Sequence, residues 1–170
     1  DVDPIEQPRT ERRLRAAGHG TEAFQARHMN FAGLPKLIAQ EQLEGFDIVI
    51  ADLGVSSMQI DNPERGFTFK ADGPLDLRLN PGHGQSAAGL LTNTTVAKLA
   101  AILAENADEP RAELLSEAIL LAQKTKPLRR TRQLAQTIQA ALTNSAHYVS
   151  ETDITNTQRR VFQALRIAVN

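Results

Sequence analysis

The run Phe46-Asp47-Ile48-Val49-Ile50-Ala51 is apolar and β-branched, and its only polar member is Asp47. An apolar run of this length without polar alternation is the pattern of a parallel strand covered on both faces. Such a strand needs parallel neighbours beside it and helices above and below. Upstream, residues 25–31 read as a second short strand, and Gly33 to Leu43 sets Leu34, Leu37, Ile38 and Leu43 at roughly helical spacing. The small or polar residues Asp52, Gly54, Ser56 and Ser57 follow at the carboxyl end of the strongest strand, where open α/β sheets bind their ligands. Residues 5–17, dense in Arg and Glu, read as a short solvated helix whose length Pro8 limits.

From Asn62 to Gln85 the text turns to Pro, Gly, Asp and Arg, which predicts a long ordered loop of the functional kind. Helices follow. Thr94 or Thr95 caps one carrying Val96, Leu99, Ile102 and Leu103 and ending near Asn106. Asp108 and Pro110 start a second with a stripe of Leu114, Leu115, Ala118, Ile119 and Ala122. Thr131 opens a third with Leu134, Ile138, Ala141 and Leu142. A polar hinge over residues 144–155 leads to a last amphipathic helix with Val161, Phe162, Leu165, Ala168 and Val169. Two or three strands do not make a doubly wound sheet. Further strands are therefore expected outside a chain that opens at Asp1 without Met and stops at Asn170 inside a helix.

The 170 residues suffice for one domain, or for part of one with an insert. A net charge of -1 advertises no polyanionic partner, so any nucleic-acid site has to be a local patch. The absence of cysteine excludes disulfides, thiolate metal sites and a cysteine nucleophile. No stretch is apolar enough to span a bilayer, and a cytoplasmic setting is expected. The four histidines are too scattered to suggest a metal site.

Three segments carry a more specific signal: Asp52-Leu53-Gly54-Val55-Ser56-Ser57-Met58-Gln59, Asn62-Pro63-Glu64-Arg65-Gly66-Phe67, and Asp72-Gly73-Pro74-Leu75-Asp76-Leu77-Arg78. With Thr131-Arg132-Gln133-Leu134-Ala135 and the stretch from Arg160 to Asn170, they resemble the MraW/RsmH family of 16S ribosomal RNA cytosine-N4 methyltransferases, in the right order and over almost the whole chain. The resemblance implies an α/β fold. The parts would be a partial Rossmann-like S-adenosylmethionine-dependent methyltransferase domain at 1–85, a helical insert for RNA recognition at 86–152, and a helix at 153–170 returning to the first domain. Its Gly-rich cofactor turn would lie upstream of Asp1. Met58 stands where the family commonly has proline, and Asn62 where an acidic residue is frequent.

By this resemblance Asp1 binds the cofactor ribose, Phe31 lies beside the adenine, and Asp52 and Gln59 complete the cofactor contacts. The cofactor is S-adenosyl-L-methionine. The partner is 16S ribosomal RNA of the small subunit, and homodimer formation is left open. Asp52 is the candidate catalytic residue; a turn-capping role is its plainer alternative. Asp52, Ser56, Ser57, Asp72 and Asp76 are all candidate acceptors for the target amine, with no choice among them. Arg65 and Arg78 suit phosphate or base contacts, against loop salt bridges to Glu64 or Asp76 as the alternative. Phe67 is a candidate stacking partner for an extruded base, as is Phe69. The basic stretch Lys124, Lys126, Arg129, Arg130 and Arg132 reads either as an RNA contact or as a solvated helix end. A non-catalytic relative that binds ribosomal RNA without cofactor is the alternative to an enzyme.

Overall fold

A computed structural model describes residues 1–144 and 148–170. The described residues form two compact units, Asp1–Ser56 and Ser57–Asn170.

In the first unit, helix α1 spans Glu6–Ala16. The buried Asp3 carboxylate accepts from the Ile5 and Glu6 amides at 2.8 and 3.1 Å and so satisfies donors that a helix start leaves open. Pro8 falls in the first turn, where its missing N–H costs nothing, and the helix continues through it. A 3₁₀ turn at Phe31–Gly33, capped by Asn30 Oδ1, leads into α2, Leu34–Gln40.

The strands expected at 25–31 and 46–51 are not present as strands among the described residues. The Asp1 amino group donates to Arg27 O at 3.0 Å, and Met29 N–H donates to Asp1 O at 2.9 Å. That pair of bonds has the spacing of a parallel ladder, held to a single step. Residues 46–51 make no ladder at all, and Ile48, Val49 and Ile50 are 77%, 68% and 87% exposed. A strand owes its hydrogen bonds and its buried faces to neighbours, so a β-prone run without them stays irregular.

The second unit begins with the short α3, Ser57–Ile60, and a 3₁₀ turn at Pro63–Arg65 capped by the Asn62 side chain. After the loop come α4 (Ala87–Asn93), α5 (Val96–Ala107), α6 (Ala112–Thr125), α7 (Thr131–Thr143) and α8 (Glu151–Val169). The boundaries follow local chemistry. Ser86, Thr95 and Ser150 cap the starts of α4, α5 and α8, and α5 ends where Asp108 turns left-handed at φ 47°. The hinge expected at 144–155 includes residues 145–147, outside those described, and α8 already begins at Glu151 within it.

Helix α5 packs against α6 and α8, and α7 against α6 and α8. Their inward stripes are Leu99 and Leu103, Leu115 and Ile119, Leu134, Ile138 and Leu142, and Val161 and Leu165, each sealed from solvent. At about 1.5–3 kcal/mol for each buried aliphatic side chain, this stripe-to-stripe burial is what holds the bundle together. Leu114, expected in the α6 stripe, is instead 40% exposed, because the helical period turns it away from the face set by Leu115 and Ile119. Buried Glu109 accepts from Arg160 Nε at 2.6 Å and from the Arg111 amide at 3.0 Å, which ties the α5–α6 turn to α8.

Candidate functional site

The loop between the second 3₁₀ turn and α4 is fixed at both edges and through its middle. Leu75 and Leu77 reach into the bundle core with 1% exposure each, so the loop is part of the hydrophobic assembly. Phe69 stacks obliquely on Phe162, ring centres 5.1 Å apart. Gly73 and the start of α7 exchange hydrogen bonds, and the Leu75 amide donates to Arg129 O at 2.8 Å. At the far end Asn170 binds the Leu79 amide through Oδ1 and the Leu77 carbonyl through Nδ2. Two glycines are obligatory. Gly66 has φ 73°, and a Cβ there would meet Pro74 O at 2.1 Å; a Cβ on Gly73 would meet Pro63 O at 1.8 Å.

The arginines that sequence reasoning marked for RNA divide by what they hold. Arg65 is buried, and its Nη2 donates to the carbonyls of Arg78 and Leu79 at 3.3 and 2.8 Å, while its guanidinium lies 5.5 Å from the Phe67 ring centre. Arg78 grips Asp76 with Nε and Nη2 at 2.7 Å each, the salt bridge that was its plainer alternative. The hydrogen bond to Asp76 first, and its charge second, raise the Arg78 pKa against the opposing pull of desolvation. Arg130 pairs with Asp72 at 3.0 Å, and the Arg132 amide donates to the same carboxylate. Desolvation alone would raise the Asp72 carboxyl. The Arg132 N–H bond, the Arg130 bond and both cations outweigh it, so its pKa lies below the ordinary value. Arg129 is exposed, and its side chain makes no hydrogen bond or ion pair among the described residues.

Of the residues marked for the cofactor, Asp1, Phe31 and Asp52 belong to the first unit and Gln59 to the second. Asp1 accepts from the Asp3 amide through Oδ1 at 2.9 Å, Phe31 is 70% exposed, and Gln59 is buried. The Asp52 carboxylate is exposed and unbonded among the described residues, so the turn-capping alternative has no bond to support it.

Sequence reasoning missed Lys124 and Gln123 as parts of one groove. With Pro74, Thr92, Leu128 and Arg129 they line a cavity of about 610 Å³ between the loop, α4 and the end of α6. The groove is formed by a tertiary fold-back, and only the cationic density near residue 124 hinted at it.

A helical bundle carrying a braced Gly-, Asp- and Arg-rich loop defines a class of protein that presents an ordered polar loop on an α-helical support. The chain belongs to the MraW methylase family, whose pattern it matches over residues 1–170. It is 47% identical to ribosomal RNA small subunit methyltransferase H 2 of Alkaliphilus metalliredigens, over all of this chain and 48% of the relative. It is 46% identical to ribosomal RNA small subunit methyltransferase H 1 of Lachnoclostridium phytofermentans, over all of this chain and 46% of the relative. To the Methylibium petroleiphilum ribosomal RNA small subunit methyltransferase H it is 38% identical over 86% of this chain and 45% of the relative. The chain spans about half the length of these curated relatives.

Proposed function

We propose that this chain is part of an S-adenosylmethionine-dependent methyltransferase acting on the N4 amine of a cytidine in 16S ribosomal RNA. Family membership over the whole chain carries this reading, with relatives named for methylating small-subunit ribosomal RNA. The corresponding architecture is a Rossmann-like domain over 1–85, a helical insert at 86–152 and a returning helix at 153–170. The uncovered β-branched faces of Ile48, Val49 and Ile50 support reading that run as a strand of a larger sheet. A cytoplasmic enzyme meeting the small subunit, with homodimer formation open, completes the reading.

The side chains present fit the cofactor in chemistry. A carboxylate at Asp1 suits a ribose hydroxyl pair, and its Oδ2 makes no hydrogen bond among the described residues. The exposed Phe31 ring suits a purine face, and Asp52 suits a cationic group. Gln59 is a residue type with both a donor and an acceptor, and it is already engaged within the fold. When bound, the cofactor supplies an electrophilic methyl carbon on a sulfonium. The protein's task is then alignment and electrostatics. The cytosine amine is a weak nucleophile because its lone pair is delocalised into the ring, and an acceptor for its N–H orients that pair. Asp72 and Asp76 are held by Arg130 and Arg78, whereas the Asp52 carboxylate is unbonded, which favours Asp52 for this role. The base has to leave its stack to reach an enclosed site, and Phe67 is the candidate on which it would stack.

Calorimetric titration of the chain with S-adenosylmethionine, alongside gel shift with 16S ribosomal RNA, tests the reading. Heat with a micromolar constant and a shift are expected. A shift without heat would favour the non-catalytic relative, and neither would sink the assignment.

A further inference from the structure

The groove between the loop, α4 and the end of α6 has a composition that the braced loop arginines do not explain. The lining side chains Gln123 and Thr92 are paired within the fold. Gln123 Nε2 donates to Thr92 Oγ1 at 3.0 Å, and Gln123 Oε1 accepts from the Leu128 amide at 2.7 Å. Thr92 in turn donates to Ala88 O at 2.9 Å. The one carboxylate in the lining, Asp76, has both oxygens taken by Arg78. Two cations remain, Lys124 and Arg129, both exposed and without a hydrogen bond or ion pair among the described residues.

A basic residue in the last turn of α6 is accounted for by the helix dipole, so Lys124 alone would signify little. Arg129 lies beyond the helix, and its backbone is clamped on both sides. Its N–H donates to Gln133 Oε1 at 2.9 Å and its carbonyl accepts from Leu75 at 2.8 Å. The cation is thus mounted on a fixed backbone at the rim of a cavity walled by Pro74, Pro127 and Leu128. At about 610 Å³ the space matches a ligand of nucleotide size. A cationic rim over a proline and aliphatic wall is complementary to a phosphodiester carrying a flat base or sugar.

We infer that this groove holds one nucleotide of a single-stranded RNA segment, its phosphates on Lys124 and Arg129 and its sugar or base on the Pro127 and Pro74 wall. The inference rests on the proposed ribosomal RNA substrate and adds a gripping point made of residues other than Asp52, the candidate catalytic residue.

The test is fluorescence anisotropy of the full chain with a labelled single-stranded oligoribonucleotide of about ten nucleotides, in parallel with 16S ribosomal RNA. K124A/R129A is expected to weaken oligonucleotide binding by about tenfold and to lower the salt slope by about 1.4, at roughly 0.7 per lost phosphate contact. T92W, which fills the groove without changing charge, is expected to weaken binding by a similar factor, an effect that a diffuse cationic field would not produce. K36A/K98A removes two exposed lysines outside the groove and is expected to leave both readouts unchanged. Retained binding to both RNAs with unaltered affinity in K124A/R129A and T92W would overturn the groove while leaving the substrate reading intact. Failure of the unaltered chain to bind either RNA would overturn both. Binding to 16S ribosomal RNA without binding to the oligonucleotide would overturn the groove alone.

Discussion

Gly73 and Thr131 lie 58 residues apart and exchange two hydrogen bonds, Gly73 N–H to Thr131 Oγ1 at 3.0 Å and Thr131 N–H to Gly73 O at 2.9 Å. The same hydroxyl donates to Ala71 O at 3.2 Å, so one buried threonine organises the loop as it passes the start of α7. Gly73→Ala forces a Cβ into the Pro63 carbonyl and is expected to cost about 3 kcal/mol or more. Thr131→Val keeps the shape but leaves the Gly73 amide without its acceptor, for a cost of about 1–3 kcal/mol. Urea unfolding at neutral pH measures both, and a Gly73→Ala chain as stable as the parent would refute this account of the loop.

Arg65 acts on the loop from inside. Lysine at this position keeps the charge but lacks the planar guanidinium that reaches the Arg78 and Leu79 carbonyls through Nη2 while its Cζ lies 5.5 Å from the Phe67 ring centre. Arg65→Lys is expected to cost about 1–2 kcal/mol in stability. RNA affinity should fall with an unchanged salt slope, since no phosphate contact is removed. A slope reduced by a full contact would show instead that Arg65 reaches the RNA.

Glu109 is sealed from solvent while Arg160 is partly exposed. Arg160→Ala strands a buried carboxylate and is expected to cost about 3 kcal/mol. In E109Q/R160M at least half of that loss should return, because the charge is gone while the glutamine oxygen can still accept from the Arg111 amide. A double variant no more stable than Arg160→Ala would count against burial of charge as the cause.

Asp72 makes part of the chain's stability depend on pH. Its carboxyl pKa lies below the ordinary 3.8, so the stabilisation is present above that value and is lost as pH falls through the lowered native value. Asp72→Asn is expected to be less stable than the parent at neutral pH. The two unfolding midpoints should converge as pH drops below about 4. Parallel curves across that range would assign the acid sensitivity to other carboxylates.

The helices were legible because their signals are local. Thr95 before Val96, and the spacing of Leu134, Ile138 and Leu142, each specify an element within a few turns of chain. The strand expected at 46–51 is not formed among the described residues, because its pattern reports what a sheet would accept and says nothing about whether partners are at hand. The site was legible in residue type but not in pairing. Arg78 and Asp76 are two residues apart, yet bidentate contact depends on a loop conformation set by Asn170 and Leu77. The Lys124 groove was not legible, since it exists only once α6 and the loop are folded against each other.

Asp47 and Asp52 flank the exposed stretch from Ile48 to Ile50. An accessible β-branched segment is a template on which a second molecule can add itself edge to edge. The two carboxylates bracket it with like charges that repel a second copy, a repulsion that high ionic strength screens.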